Sequence, residues 1–466
     1  MIYSPLSSET ICALATAPGG AIAIVRVSGP ESIHITQKLY HAPSGKPIDQ
    51  AKSHTAHYGE FRSATGQLID EVIVTLYRSP HSYTGEESIE ISCHGSRYII
   101  SNILKELTSL GCRMARPGEF TQRAFLNGKL DLSQAEAVAD LIASTNSATH
   151  QMAMSQLRGH FSSELSHLRE QLLHLTSLLE LELDFSDHDV EFADRQELKD
   201  LTQTIEKHIG RLVQSFKTGK ALREGIAVAI VGKTNVGKST LLNRLLHDDK
   251  AIVSDIHGTT RDVIEDTTQI HGITFRFIDT AGIRHTHDEI EQMGIERTYR
   301  KLDEAAIIIW MTDEMPTQEE AHEIASHCHG KQLICAINKI DKIGECHYNP
   351  TTYFKETSEM AVQTVEISAK HNINIDQLED AIYKAADIPE ISENDVIVTS
   401  MRHFNALSLA LEDIQRVEQG FAYHLSGDLL SEDLRSCIHH LAEIVGGEIS
   451  ADETLGEIFA HFCVGK

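Results

Sequence analysis

The spacing of hydrophobic positions changes along this chain and separates regions of different texture. Residues 1–129 carry short apolar runs separated by turns rich in glycine, proline and serine. The runs 21–27, 72–77 and 88–92 are typical of β-strands. The pattern therefore predicts a small N-terminal α+β domain.

Residues 130–222 show helical spacing instead. Ser133-x-x-Glu136 precedes an apolar run in the manner of a capping box, which predicts the start of a helix. Farther along, apolar residues recur every three or four positions and predict one long helix with a single apolar face. These residues are Leu157, Phe161, Leu165, Leu168, Leu172, Leu175 and Leu179.

Residues 223–387 alternate apolar strands with amphipathic helices, a pattern typical of an α/β domain with a mainly parallel sheet. Helical spacing returns at about residue 401. The simplest arrangement is an α/β domain inserted into a discontinuous helical domain, whose parts are residues 130–222 and 388–466.

Composition limits the classes of function. The chain has 466 residues, with 41 basic and 68 acidic side chains and a net charge of -27. This field repels nucleic acid at long range, so RNA binding would need a local basic patch or a partner protein. The eight cysteines form no Cys-x-x-Cys pair, which argues against structural zinc and against a disulfide framework. The absence of a signal-peptide pattern and of any long apolar run predicts a cytoplasmic protein.

A phosphate-binding motif opens the α/β region. Residues 232–239 read Gly-Lys-Thr-Asn-Val-Gly-Lys-Ser, between the apolar run 226–231 and the helical stretch 240–246. In this strand-loop-helix context, glycines let backbone N–H groups face phosphates. Lys238 is expected to contact the β and γ phosphates, and the Ser239 hydroxyl to bind Mg²⁺. The residues predicted to contact nucleotide here are Asn235, Val236, Gly237, Lys238, Ser239 and Thr240.

Two downstream segments fit the switch regions of a GTPase. Residues 258–262, Gly-Thr-Thr-Arg-Asp, lie where a switch loop belongs, and Thr260 is expected to bind Mg²⁺ when the γ-phosphate is present. The second segment follows a strand and places an aspartate near Mg²⁺ and a glycine N–H near the γ-phosphate. Its residues are Asp279, Thr280, Ala281 and Gly282.

A third motif predicts selection of guanine. Asn338-Lys339-Ile340-Asp341 follows a predicted strand, and a carboxylate at Asp341 can accept the ring N–H and the exocyclic amine of guanine. Adenine lacks that pair of donors, so discrimination against ATP can reach about 10⁴-fold. The residues expected to back the base are Ser368, Ala369 and Lys370. These motifs, in this order, predict a P-loop GTPase domain of the Ras-like class.

The group that positions the attacking water is not evident from the motifs. Ile283 stands where some GTPases have a water-orienting glutamine. Asp288, Glu289 and Glu291 are nearby acids, and the residues alone do not choose among them.

Many GTPases share the nucleotide motifs, but this chain also carries short characteristic segments outside them, from its N-terminal region to its last residue. They are Arg26-Val-Ser-Gly29, Tyr83-Thr-Gly-Glu86, Arg116-Pro-Gly-Glu-Phe-Thr121, Arg123-Ala-Phe-Leu-Asn127, Lys129-Leu-Asp-Leu132, Gln134-Ala-Glu-Ala137 and the terminal Phe462-Cys-Val-Gly-Lys466. On the basis of these segments, the chain resembles the MnmE (TrmE) family of tRNA modification GTPases over its whole length.

The resemblance implies a role in tRNA modification. Members of the family form homodimers through the N-terminal domain, which binds a 5-formyltetrahydrofolate-type one-carbon donor. The matching positions here are Arg26, Glu90, Lys129 and Lys466. With MnmG, an FAD protein, the family acts as a heterotetramer-type complex. That complex adds an aminomethyl or carboxymethylaminomethyl group to carbon 5 of the wobble uridine.

The resemblance also implies K⁺-dependent pairing of two GTPase domains, with K⁺ where an arginine finger would otherwise lie. The implied K⁺ ligands are Asn235, Ser254, Ile256 and Thr259. The remaining residues of the implied K⁺-binding and switch loop are Asp255, His257, Gly258 and Thr260. Glu291 matches the family's water-orienting glutamate. His257 departs from the small residue usual at its position.

Two questions stay open at this point. Cys463 has three interpretations: a prenylation site, a buried structural cysteine, or, by resemblance, a catalytic thiol near the one-carbon site. The alternative function for the whole chain is a GTP-dependent ribosome-assembly switch, because such GTPases share the nucleotide motifs. They usually carry a basic RNA-binding region, and this chain shows nothing similar.

Overall fold

The structure is a computed structural model in which the chain forms two compact units. It describes residues 9–184, 195–247, 266–278, 304–314, 317–326, 328, 330–343, 362–389 and 395–447, together with Leu455, Ile458, Phe459, Phe462 and Gly465. The first unit comprises Met1–Ala143, Ala153–Ile209 and Asn405–Lys466. The second comprises Ser144–Met152 and Gly210–Phe404. The domain boundaries proposed above stay predictions.

The described strands and helices are as follows. The strands are β1 (Ile11–Leu14), β2 (Ile22–Ser28), β3 (Tyr40–His41), β4 (Thr55–Arg62), β5 (Leu68–Tyr77), β6 (Ser88–His94), β7 (Arg113–Met114), β8 (Ile226–Val231), β9 (Asp266–Ile270), β10 (Ile273–Ile278), β11 (Ile307–Thr312), β12 (Gln332–Ile337) and β13 (Val362–Glu366). The helices are α1 (Ser32–Leu39), α2 (Arg97–Ser109), α3 (Glu119–Leu126), α4 (Leu132–Ala143), α5 (Ser147–Leu157), α6 (His160–Asp184), α7 (Arg195–Glu224), α8 (Lys238–His247), α9 (Gln318–Ser326), α10 (Ile340–Ile343), α11 (Ile375–Ala385), α12 (Met401–Ala422) and α13 (Gly427–Val445).

The first unit contains a seven-stranded sheet in the order β3-β4-β5-β6-β2-β1-β7. Its described pairs are antiparallel except β1 with β7. Helices α1 and α2 contact the sheet, and Val25, Val74 and Ile91 are fully buried in the shared core. Since side chains alternate along a strand, Arg26 of β2 and Glu90 of β6 lie on the opposite face. The two residues are direct register partners.

The apolar stripe predicted in the helical region is largely confirmed. Phe161, Leu165, Leu168, Leu172, Leu175 and Leu179 are buried on one face of α6, which packs against α13. The prediction is wrong at Leu157, which ends α5, because the chain breaks at Gly159 with a φ of +85°. Glycine adopts this conformation without the steric cost of a β-carbon.

The predicted capping box is wrong by two residues. Helix α4 begins at Leu132, so Ser133 already lies within it. The capping pair is Asp131 with Gln134. The Gln134 backbone N–H donates to Asp131 Oδ1 at 2.9 Å, and the Asp131 backbone N–H donates to Gln134 Oε1 at 3.0 Å. The aspartate and the glutamine thus form the reciprocal hydrogen bonds of a capping box, two residues earlier than predicted.

The second unit contains a six-stranded sheet in the order β13-β12-β11-β8-β10-β9. All its pairs are parallel except the β9–β10 hairpin. The strands predicted from apolar runs are confirmed, and Val228 and Ile309 are fully buried. Because parallel strands end at the same edge of a sheet, β8, β12 and β13 deliver their following loops to one place.

Two further facts describe the chain. Within the described ranges, no helix is both long and apolar enough to cross a lipid bilayer. The described cysteines are free thiols, and all of them are buried.

Candidate functional sites

The phosphate loop between β8 and α8 depends on two glycines. Gly232 has a φ of +149°, and a β-carbon there would lie 2.2 Å from the Met311 carbonyl oxygen. Gly237 has a φ of +104°, and its β-carbon would lie 2.4 Å from Asn338 Nδ2. Neither position has room for a side chain, so the loop can lie this close to β11 and β12 only with glycine.

Lys238 closes the loop on itself. Its ammonium group donates to the carbonyl oxygens of Gly232 at 2.6 Å and Lys233 at 2.7 Å. Burial lowers the pKa of this amine, since desolvation disfavours the charged form. A bound phosphate would place negative charge next to this amine and favour its charged form, so the arrangement suits an anionic ligand.

Asn338 joins the phosphate loop to the base-reading loops. Its side chain is almost completely buried. Nδ2 donates to the Val236 carbonyl at 2.7 Å, and Oδ1 accepts the Ala369 N–H at 3.0 Å. One amide thus fixes three loops, and each of its polar atoms has a partner.

Lys339 reaches across the same edge. Its ammonium group donates to the Asn235 carbonyl at 2.8 Å and to Asp313 Oδ2 at 2.5 Å. Its own φ is +64°. Lys339, after β12, is thus tied to the phosphate loop after β8 and to Asp313 after β11.

Asp341 presents the carboxylate expected to read guanine. Ser368 Oγ donates to Asp341 Oδ1 at 2.7 Å, and His371 Nε2 lies 3.6 Å from Oδ2. The hydrogen bond from Ser368 is the main influence that holds the pKa of this carboxyl below its usual value. The carboxylate is therefore ionised near neutral pH and able to accept two guanine N–H donors.

The predicted nucleotide residues that are described thus lie at one edge of the sheet. Ser239 and Thr240 lie in the first turn of α8, where backbone N–H groups favour phosphate. Lys370 is exposed, and its carbonyl accepts Arg244 Nη2 at 3.4 Å. Other predicted residues lie outside the described residues. They are Ser254, Asp255, Ile256, His257, Gly258, Thr259, Thr260, Asp279, Thr280, Ala281, Gly282 and Glu291.

A second polar cluster lies on the face of the first unit's sheet opposite the core that it shares with α1 and α2. Arg26 donates to Glu90 Oε1 through Nε at 3.0 Å and through Nη2 at 2.8 Å. The Arg26 guanidinium carbon lies 5.3 Å from the ring centre of Tyr83 and 5.6 Å from that of Phe120. Two aromatic rings and one carboxylate therefore hold this cation in place.

Buried charges support the two elements that carry these rings. Arg123 of α3, only 2% exposed, donates to Glu86 at 3.1 Å and to Glu119 at 3.1 Å. Burial alone would raise the pKa of Glu119, but hydrogen bonds from Arg113 and the Arg116 backbone hold it below its usual value. The network joins Glu86, in the loop that carries Tyr83, to the helix that carries Phe120.

Lys129 contacts the loop that carries Tyr83, and the described residues near the chain end lie close to Gly118 and β1. Lys129 Nζ donates to the Pro80 carbonyl at 3.1 Å. Gly465 lies against β1, because a β-carbon there would be 2.1 Å from the Leu14 carbonyl. A β-carbon at Gly118 would lie 2.9 Å from Phe462 Cβ. Cys463 and Lys466 lie outside the described residues.

Sequence reasoning assigned no role to Arg123, Glu119, Phe120 or Tyr83, although all of them lie in segments quoted for the resemblance. The signal was present in the sequence, because Arg123 falls on the apolar face of α3 beside the buried Phe120 and Ala124. A charge at such a position implies a buried ion pair, but the sequence does not name the partner.

Replacing Asp341 by asparagine tests the base-reading site. An asparagine offers one acceptor and one donor, so it mismatches the guanine amine and matches the C2 carbonyl of xanthine. We expect affinity for GDP to fall by about 10²-fold or more and affinity for XDP to rise, measured by competition with a fluorescent nucleotide. Asp376→Asn, in the first turn of α11, is the control and should change neither affinity. Unaltered preference for GDP in Asp341→Asn would exclude Asp341 as the base reader.

Family models cover most of the chain. Residues 10–129 match the model described as "GTP-binding protein TrmE N-terminus". Residues 132–463 match the model described as "MnmE helical domain". The second match spans more than half of the chain, and the two together leave only short ends unmatched.

Relatives of known name are similar over their full length. A tRNA modification GTPase MnmE from Bacteroides fragilis is 54% identical over 467 residues, covering 99% of this chain and 100% of that protein. One from Porphyromonas gingivalis is 49% identical and covers 100% of both chains. Among solved structures, a point variant of Aquifex aeolicus Era bound to GDP·AlF4⁻ is 33% identical. The match covers 40% of this chain and 66% of that one, with a TM-score of 0.27.

The motif order, the arrangement of the nucleotide loops and the end-to-end similarity agree. The chain binds GTP and GDP and is a GTP-hydrolysing enzyme of tRNA modification. It belongs to the MnmE (TrmE) family of tRNA modification GTPases.

Proposed function

We propose that this GTPase is the GTP-hydrolysing component of a cytoplasmic enzyme that modifies carbon 5 of the wobble uridine. The group added is of the aminomethyl or carboxymethylaminomethyl type, and the partner is MnmG, an FAD protein. The observation that carries the proposal is the similarity to the named tRNA modification GTPases over the whole length of the chain. A nucleotide site and a separate polar cluster in one chain suit an enzyme that couples GTP hydrolysis to a second chemistry.

Deleting the gene tests the modification itself. We expect the wobble uridine of some tRNAs to lack the C5 group, because the proposed complex would have no GTP-hydrolysing component. Mass spectrometry of nucleosides from purified tRNA measures this change. Complementation with the wild-type gene is the positive control, and a gene carrying Asp341→Asn should fail to complement. Unchanged wobble nucleosides in the deletion strain would refute the proposal.

We propose that the Arg26 cluster binds the 5-formyltetrahydrofolate-type donor. Arg26 suits an anionic folate tail, and Glu90 suits a pterin edge with several N–H donors. Their side chains are 18% and 24% exposed, so a ligand can still reach them. Lys129 and Lys466 are the other proposed contacts. The thiol of Cys463, two residues before Gly465, is proposed to support the transfer chemistry.

A folate titration tests this site. We expect Arg26→Ala to weaken binding of 5-formyltetrahydrofolate by about 10-fold or more, because a charge-assisted contact is lost. Isothermal calorimetry measures the dissociation constant. Arg62→Ala is the matched control, since Arg62 also pairs with a glutamate of the same sheet, Glu60, and should bind the donor like wild type. Equal affinities in wild type and Arg26→Ala would remove Arg26 from the site.

We propose Mg²⁺ and K⁺ as the cations of GTP hydrolysis. Ser239, Thr260 and Asp279 would hold Mg²⁺ at the phosphates. Asn235, Ser254, Ile256 and Thr259 would hold K⁺, and Glu291 would orient the attacking water. Asn235 is exposed within the phosphate loop and has a φ of +65°. Among the described contacts its side-chain amide makes no hydrogen bond, so it is available as a ligand.

Replacing K⁺ by Na⁺ tests the cation proposal. We expect kcat for GTP hydrolysis to fall about 10-fold or more in Na⁺, because positive charge is lost next to the transferred phosphoryl group. Asn235→Ala should lose most of the K⁺ stimulation, whereas the neighbouring Thr234→Ala should keep it. Steady-state phosphate release at equal ionic strength measures both effects. Equal rates of wild type in the two salts would contradict the K⁺ assignment.

We propose that the chain forms a homodimer through its N-terminal sheet. The face of that sheet opposite α1 and α2 exposes apolar side chains that a monomer would leave in water. Ile22 is 67% exposed, Tyr58 55% and Ile73 48%. Tyr58 and Ile73 are direct register partners, so they form one continuous apolar surface. Burying this surface would also enclose the Arg26 cluster, which lies on the same face.

A further inference from the structure

A short segment from before the GTPase motifs is folded into the nucleotide-binding unit. Residues 144–152 belong to the second unit, although the phosphate loop begins only at Gly232. Ala148 and Met152 are buried in the same apolar cluster as residues of β8 and β10. The segment is therefore part of the core that supports the nucleotide site.

The segment contacts both strands of the β9–β10 hairpin. Asn146 Nδ2 donates to Thr274 Oγ1 of β10 at 2.7 Å. Gln269 Nε2 of β9 donates to the Thr145 carbonyl at 2.5 Å. A β-carbon at Gly272, in the turn of the hairpin, would lie 3.5 Å from Ser147 Cβ. These contacts hold the turn end of the hairpin.

Asn146 combines two tasks in one side chain. Its Oδ1 accepts the Thr149 N–H at 2.8 Å, which caps the N-terminus of α5. Its Nδ2 makes the contact with Thr274. The residue is only 8% exposed, so the helix start fixes its position and water competes little for its hydrogen bonds.

In the sequence, the hairpin lies between the phosphate loop and the predicted Asp279 motif, both of which are proposed to act in GTP hydrolysis. Strand β10 pairs with β8 in parallel register, Ile278 opposite Ala229. After β8 the chain enters the phosphate loop, and after Ile278 it enters the predicted Asp279 motif. The position of β10 along β8 therefore sets where that motif begins relative to the phosphates. The base-reading residues follow β12 and β13, which do not pair with β10.

We propose that Asn146 is a positioning residue for GTP hydrolysis. It acts by holding Thr274 and thereby the position of β10. The position of β10 in turn sets where the Asp279 motif begins. Its side-chain hydrogen bonds with described residues go to Thr149 and Thr274, so the proposed role is exerted through these contacts. Because a displacement of about 1 Å can cost a large factor in rate, loss of this contact should lower kcat. The phosphate loop and the base-reading loops would keep their own contacts, so nucleotide affinity should stay the same.

Two variants of the full-length protein test the proposal. Asn146→Ser keeps a good capping oxygen but is too short to reach Thr274. Thr274→Val removes the acceptor and keeps the shape of the side chain. We expect each to lower kcat by about 3- to 10-fold with KM for GTP and Kd for GDP within about twofold of wild type. The double variant should be no slower than the slower single variant, because both remove the same contact.

Thr149→Val is the matched control. It removes a hydroxyl bonded to Asn146 at the same helix cap but leaves the contact with Thr274. It should lower the melting temperature slightly and leave kcat at the wild-type value. A wild-type kcat in Asn146→Ser and Thr274→Val would overturn the proposal. Equal losses of GDP affinity and kcat, or an equally low kcat in Thr149→Val, would show a general structural role and also overturn it.

Discussion

The side-chain amide of Asn338 is the interaction on which the nucleotide site depends. It donates to the carbonyl of Val236 in the phosphate loop and accepts from the N–H of Ala369 in the loop after β13. It can do so because β8, β12 and β13 are parallel and end at one edge of the sheet. Gly237 leaves the space that the amide occupies. The same residue that begins the guanine motif therefore also holds the phosphate-binding loop in place.

In the first unit, a network of buried charges holds together the elements around Arg26. Arg123 joins the loop of Glu86 to the helix of Glu119, and the rings of Tyr83 and Phe120 that flank Arg26 belong to those two elements. Removing one member of such a network leaves the others charged and buried, which is strongly destabilising. A fork of guanidinium donors also fixes direction, which an apolar contact does not. The positions of the two rings beside Arg26 thus depend on the ion-pair network of Arg123, Glu86 and Glu119.

The contact of Asn146 with β10 shows that the functional unit is larger than its motifs. The residues proposed to bind phosphate and read guanine fall between positions 232 and 370, yet a segment near residue 146 lies in the same unit and the same apolar cluster. A helix cap is a rigid attachment point, because its backbone donors and side-chain acceptor fix each other.

The sequence by itself determined the local features. The apolar run 226–231 placed β8 to the residue, and the stripe from Phe161 to Leu179 identified the buried face of α6. It identified the candidate nucleotide site because Lys238, Asn338 and Asp341 lie in loops whose predicted chemistry depends on their own few residues. The cap of Asp131 with Gln134 and the break at Gly159 are also local features, which the spacing of apolar residues alone did not reveal. Tertiary structure alone decided that Arg123 pairs with Glu86 and that Asn146 contacts Thr274. These contacts join residues far apart in the sequence, and no local pattern carries that information.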